Sequence, residues 1–287
     1  GRFTYAKAKL GRNFDAIAGV DRRNQSRDWN DLTGYARGLY RLNERFSIFG
    51  GISQAFRSPN LTALSGNLTT RSGVAAVGSA DLEPEEFNTY EVGIRRESDA
   101  FHAGLSVYYT KIDDVILRIP IEEGAGTTVS TNGRDGEIYG LEIEWKWFID
   151  SDWSLSGYAA WQDGETSTPL NLGGPTRDDN ASRMHPINGS IALKYDPVSE
   201  PFWISLRLLA AAEQDALSLS DMGDTQRIPI GGTPDYQIWM LHGGWEATDT
   251  LRFTFGLENL LDEDYRVHGS GQNEPGFSAV ARAHYRW

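Results

Sequence analysis

The chain has 287 residues and a formal charge of −13. Its 27 Lys and Arg side chains form no basic stripe, which excludes a nucleic-acid binder, because phosphate recognition needs clustered cations. Cysteine is absent, so disulfides and thiolate metal sites are excluded, while nothing follows about compartment. Mean hydropathy is −0.46 and no apolar run approaches the ~20 residues of a transmembrane helix. A helical membrane protein is therefore excluded, whereas strands with one wet and one apolar face average to the same low hydropathy.

In chain order, Gly1-Arg2-Phe3-Thr4-Tyr5 already reads as strand, with no initiator Met or apolar leader ahead of it. Period-2 alternation then predicts about thirteen strands, beginning near residues 2, 14, 31, 45, 86, 101, 137, 153, 187, 202, 235, 250 and 277. Tyr139, Leu141, Ile143, Trp145 and Trp147 fall on one face against Glu142, Glu144 and Lys146. Leu251, Phe253, Phe255 and Leu257 oppose Arg252, Thr254, Gly256 and Glu258 in the same way. In the last strand Phe277, Ala279, Ala281, Ala283, Tyr285 and Trp287 oppose Ser278, Arg282, His284 and Arg286. Soluble strands usually run ~5–6 residues, whereas a tilted membrane strand needs ~9–11, and these segments have the longer length.

Connection lengths alternate as well. Tight turns are predicted near residues 42–44, 98–100, 150–152, 196–200 and 248–249, and long Gly-, Asn-, Asp- and Thr-rich loops over 58–85, 114–136, 164–184, 215–233 and 262–276. Outer-membrane barrels have short turns on the periplasmic side and long loops outside. Trp147, Trp153, Trp245 and Trp287 lie near tight turns or the chain end, as an interfacial aromatic girdle would, whereas the parity of Trp203 puts it on the polar face. The fold class expected is all-β, a transmembrane antiparallel barrel, with residues 1–287 in one barrel domain. Bacterial single-chain barrels close with an even number of strands, so an odd set predicts further strands N-terminal to this chain.

Residue chemistry is sparse. His102, His185, His242, His268 and His284 show no metal-ligand spacing, and no phosphate cradle or nucleophile elbow is present. No resident cofactor, metal site or catalytic residue is predicted, and the chain is not expected to be an enzyme. Asp113-Asp114 and Asp178-Asp179 suit Ca²⁺ by chemistry but lack the spacing of a Ca²⁺ loop. The ligand-contact candidates are Arg57, Arg118, Arg134, Arg183 and Arg227 near outer strand ends, where guanidinium groups attract anionic cargo, together with Asn60, His185 and His268.

Several passages then resemble one family. Phe56-Arg57-Ser58-Pro59-Asn60-Leu61, Ala80-Asp81-Leu82-Glu83-Pro84-Glu85 and Tyr90-Glu91-Val92-Gly93-Ile94-Arg95 are similar to the "FRAPNL … NPDLKPE … YELGLR" passage of TonB-dependent outer-membrane receptors. The segments around Tyr108–Ile116 and Ile138–Glu142, then Leu257-Glu258-Asn259-Leu260-Leu261-Asp262-Glu263-Asp264-Tyr265, resemble later strands and the "ENLFDxxY" element. The terminal Trp287 matches the aromatic residue such barrels use as an assembly signal. The resemblance implies a 22-stranded barrel of which this is the C-terminal part, a plug and further barrel wall outside the chain, and a TonB-type energy-coupling partner. It also implies outer-membrane lipid as surroundings and active import of a scarce nutrient, first a ferric siderophore, then cobalamin or carbohydrate. Haem is disfavoured, since residues 60–80 lack the histidine that haem receptors carry there. A passive porin or adhesin-type barrel is the alternative, because its wall has the same pattern without a plug.

Overall fold

The computed structural model describes residues 1–15, 20–69 and 73–287. Its elements are β1 (Arg2–Asp15), β2 (Val20–Thr33), β3 (Tyr35–Arg41), β4 (Phe46–Arg57), α1 (Leu61–Ser65), β5 (Asn67–Thr69), β6 (Ala75–Val77), β7 (Glu85–Glu97) and β8 (Phe101–Asp113). There follow β9 (Ile116–Pro120), β10 (Thr127–Asn132), β11 (Asp135–Phe148), β12 (Trp153–Pro169), β13 (Thr176–Asn180), β14 (Asn188–Tyr195), β15 (Phe202–Ala211), α2 (Leu219–Gly223), β16 (Tyr236–Thr248), β17 (Leu251–Glu258) and β18 (Ser278–Tyr285). The main sheet is an antiparallel meander in the order β18-β17-β16-β15-β14-β12-β11-β8-β7-β4-β3, with β13 added against the outer end of β12.

Two expectations need correction. Strands expected near residues 14 and 31 begin at Val20 and Tyr35, because β1 continues to Asp15 and pairs with β2 in a separate hairpin. The long connections are also not plain loops: β5, β6, β10 and β9 form a small sheet of their own, in which β6 and β10 run parallel. β12 likewise runs beyond the loop start expected at residue 164, to Pro169, where β13 pairs with it. The β6–β10 pairing joins segments far apart in sequence, and the other strands of the small sheet and β13 are too short for alternation to mark them.

Register shows why the long strands form. Ile48, Ile94, Leu105, Ile143 and Ala159 lie directly opposite one another across five strands, as do Leu155, Leu193, Leu206 and Leu241 across four. Such cross-strand apolar pairs are the unit of sheet stabilisation. Phe253, Phe255 and Tyr285 are exposed on this same face, so no second layer covers it, as a soluble sandwich requires. Aromatic rings border it at both ends. Trp153 and Tyr195 approach to 4.6 Å and Trp245 and Phe253 stack at 5.8 Å beside the tight turns, and the Arg96 guanidinium lies over Phe46 and Phe101. At the other end Tyr90, Tyr109 and Tyr139 are register partners, and Tyr139 meets Trp161 at 5.8 Å. Tyr139 and Trp147 stand on β11 roughly 26 Å of strand apart, of the order of the ~25 Å apolar band of an outer-membrane barrel.

The opposite, inner face carries Arg95, Glu142, Glu144, Lys146, Lys194 and Arg207, and there the Lys194 ammonium sits over Trp203 at 5.1 Å. Burial concentrates under the outer loops instead of between layers. Ala8, Leu10 and Trp29 of the β1–β2 hairpin pack with Ala63, Leu64, Ala80 and Leu82, and Val77, Ile119 and Val129 pack within the small sheet.

The motif residues act as fasteners for these loops. Glu85, 2% exposed, pairs with Arg57 Nε and accepts the Ile116 N–H at 3.0 Å, tying the ends of β4, β7 and β9 together. Asn132 donates to the Glu83 and Asp114 carbonyls and accepts the Glu83 N–H. Asn259 sits at φ 50 and accepts the Glu263 N–H while donating to the Glu263 and Pro275 carbonyls. Glu85→Ala leaves the partly buried Ile116 N–H unpaired and frees Arg57, an expected loss of about 1–3 kcal/mol. Limited proteolysis is then expected to open residues 58–85 and 114–136 well before the wild type, and an unaltered digestion pattern would count against this fastening role.

Candidate functional site

The outer loops enclose a cavity of about 970 Å³ bounded by β9, the β12–β13 turn and α2. Its walls carry Arg118, Arg177, Arg183 and Arg227 with the carboxylates of Glu123, Asp179 and Asp224, beside Ile116, Leu117, Leu170 and Leu219. Local chemistry builds it in three steps. The Ser218 hydroxyl caps α2 by accepting the Asp221 N–H at 3.1 Å, and Asp221 caps back onto Ser218, the reciprocal box that satisfies helix-end donors. Asp221 is buried and also accepts Ser182 Oγ at 2.7 Å and the Arg183 N–H at 3.0 Å. That anchors Arg183, at φ 60, and sends its side chain toward Asp224.

Asp224 Oδ2 accepts from Arg183 at 3.0 Å and from Arg227 at 2.9 Å. One carboxylate between two guanidinium groups leaves one positive charge over, and it spaces both forks for an incoming anion. Arg177 lies 3.8 Å from Asp179, which accepts the Leu219 N–H at 2.9 Å. The volume falls within the ~300–1,000 Å³ range of small-ligand sites, and the mixture of apolar wall and a few polar groups is typical of them.

A second cavity of about 370 Å³ opens on the inner face, lined by Tyr108, Glu142, Tyr158, His185, Thr233 and His268 among others. Tyr108 lies flat over Gly140, where a Cβ would stand 2.5 Å from its hydroxyl. His268 is 6% exposed, and its Nδ1 is 2.9 Å from Thr233 Oγ1. Burial pushes the His268 imidazole below its ordinary pKa, and His185 and Arg183 act in the same direction against the opposing pull of Asp221.

The sequence candidates thus divide. Arg118, Arg183 and Arg227 meet in the outer cavity, and His185 and His268 in the inner one. Arg57 is engaged by Glu85, Asn60 caps α1 by accepting the Ala63 N–H at 2.8 Å, and Arg134 is exposed and lines neither cavity. Sequence reading passed over Arg177, although it lies in a predicted outer loop beside the acidic pair at 178–179. Tyr108 was also missed, although strand parity puts it on the inner face. Asp113 pairs with Lys111 at 2.6 Å, and among the described residues no group of three or more carboxylate or imidazole side chains is arranged for a metal ion.

The profile described as "TonB dependent receptor-like, beta-barrel" matches residues 1–260. The chain belongs to the TonB-dependent receptor β-barrel family. Receptors of this family are outer-membrane barrels of Gram-negative bacteria. The rhizobactin receptor of Rhizobium meliloti is 24% identical over 80% of this chain, which spans 29% of that receptor. The ferric enterobactin receptor PirA of Pseudomonas aeruginosa is 23% identical over 85% of this chain, which spans 34% of it. Among solved structures the copper transporter OprC superposes with a TM-score of 0.79 at 19% identity, covering 99% of this chain and 44% of that one. The FrpB iron transporter from Neisseria meningitidis gives 0.71 at 13%, covering 98% and 41%. This TonB-dependent receptor chain therefore spans less than half of the receptors it matches.

Proposed function

We propose that this chain is the wall and outer vestibule of a receptor that captures an anionic metal chelate at the cell surface, a ferric siderophore first, and imports it actively. The observation that carries the reading is the outer cavity, large enough for a small chelate and lined by four guanidinium groups against three carboxylates, with Arg183 and Arg227 converging on Asp224. Relatives named for rhizobactin and ferric enterobactin support that cargo class. Neutral carbohydrate has no charge for the guanidinium pair at Asp224 to engage. The receptor works without making or breaking bonds in its cargo: arginines hold the chelate, a plug supplied by the rest of the receptor closes the lumen, and a TonB-type partner provides the energy to open it.

The test is radio-iron uptake from ferric catecholate and hydroxamate chelates by cells whose only siderophore receptor is this one. Accumulation is expected for at least one chelate class and is expected to stop on adding a protonophore. Entry indifferent to the energised state would favour the porin alternative, and absence of binding across chelate classes would remove the siderophore reading.

A further inference from the structure

Two histidines from different loops face one another at the inner cavity. The His185 and His268 ring centroids are 6.4 Å apart with planes at 77°. His185 belongs to the connection entering β14, and His268 to the loop between β17 and β18. Only folding brings them together, across more than eighty positions of sequence. Their meeting place is a cavity wall that also presents the carboxylate of Glu142 and the hydroxyl of Tyr108.

The two rings are held differently. His185 is exposed, whereas His268 is buried and fixed through Nδ1 by Thr233 Oγ1. In the tautomer whose Nδ1–H donates to Thr233 Oγ1, the other ring nitrogen keeps its lone pair, and this is the usual arrangement behind metal-bound histidines. Thr233 is itself held in place, its N–H donating to the Gln214 carbonyl and its carbonyl accepting from the Gln214 N–H, both at 2.9 Å. In that tautomer Nε2 of His268 is the nitrogen available to an ion, with the His185 ring alongside at 6.4 Å between centroids.

The geometry points to a site for a divalent first-row transition-metal ion, held by the imidazoles of His185 and His268 on the inner face. Two imidazoles that share an ion at about 2.0–2.1 Å have centroids roughly 5 Å apart at a tetrahedral angle and farther apart at wider angles. The observed separation of 6.4 Å exceeds that of the tetrahedral pose by roughly 1.4 Å, a shift available to the exposed loop side chain of His185. Imidazole suits Cu²⁺, Ni²⁺ and Zn²⁺, whereas hard ions such as Ca²⁺ and Mg²⁺ require oxygen ligands. With two protein nitrogens the ion keeps open positions, which the cavity leaves room to fill with water or a small chelator. A ferric ion already saturated by a hexadentate chelate has no position for these rings, so the ion proposed here is not the iron of a chelate held in the arginine-lined vestibule.

The experiment uses untagged protein purified from outer membranes in detergent and titrated with Cu²⁺ alone. One Cu²⁺ per chain is expected, with an electron paramagnetic resonance spectrum showing coupling to two imidazole nitrogens. His185→Gln and His268→Gln are each expected to weaken binding at least tenfold and to remove one nitrogen from the spectrum. Thr233→Val is expected to weaken it about 10–100-fold with both nitrogens retained. Zn²⁺ is expected to displace the copper. Heat-modifiable electrophoretic mobility reports barrel assembly. If His268→Gln fails to assemble, His185→Gln decides alone, because that side chain is exposed. Copper binding that neither histidine substitution alters, or coupling to a single nitrogen in the wild type, overturns the assignment and leaves an edge-to-face packing contact.

Discussion

Leu105→Arg is expected to destabilise the barrel by about 2–4 kcal/mol, the cost of a guanidinium at the middle of a lipid-facing strand. Leu105 sits four positions from Phe101 and four from Tyr109, the rings that mark the two ends of the apolar band on β8. Its register partners are Ile94 and Ile143, and it is 37% exposed with no polar group opposite. Ser106→Arg makes the matched comparison. One residue along, the side chain points to the inner face and lies opposite Glu142, where a cation meets water and a carboxylate, so a change within about 0.5 kcal/mol is expected. Urea unfolding from lipid vesicles, followed by heat-modifiable mobility, separates the two. Equal tolerance of both substitutions would mean that the apolar face does not meet hydrocarbon.

Removing charge from the outer cavity is expected to have the largest effect on binding. Arg183→Gln with Arg227→Gln deletes two charge-assisted donors, each worth about 1.5–3 kcal/mol to a charged partner, so affinity for an anionic ferric chelate should fall 100-fold or more. Association with the wild type should slow as ionic strength rises, because long-range attraction is screened, and the double variant should lose most of that dependence. Arg134→Gln is the control: exposed and outside both cavities, it should stay within about threefold of the wild type. Binding by the double variant at wild-type strength would move cargo recognition away from this vestibule.

The two cavities show where sequence reading stops. Arg57, Arg134 and Arg183 look alike in the sequence, each a cation at an outer strand end. Glu85 binds the first, the second faces solvent, and Asp221 and Asp224 orient the third into the vestibule. None of these partners is adjacent in sequence. His185 and His268 stood out only as loop histidines, and their juxtaposition depends on how loops more than eighty residues apart fold over the inner face.

Sequence alone determined the long strands, their two-faced character, the alternation of tight turns and long loops, and the family. A strand between hydrocarbon and water must alternate along its own length, and that constraint is local, so it is written residue by residue. Tertiary structure alone decided the β1–β2 hairpin, the small loop sheet with its parallel pair, the burial of Glu85, Asp221 and Asn259, and the division of candidate residues between two cavities. The parallel β6–β10 pair and the contacts of Glu85 and Asp221 rest on hydrogen bonds and charge pairs between segments distant in the chain, and a carboxylate carries no mark of its partner until folding brings the two together.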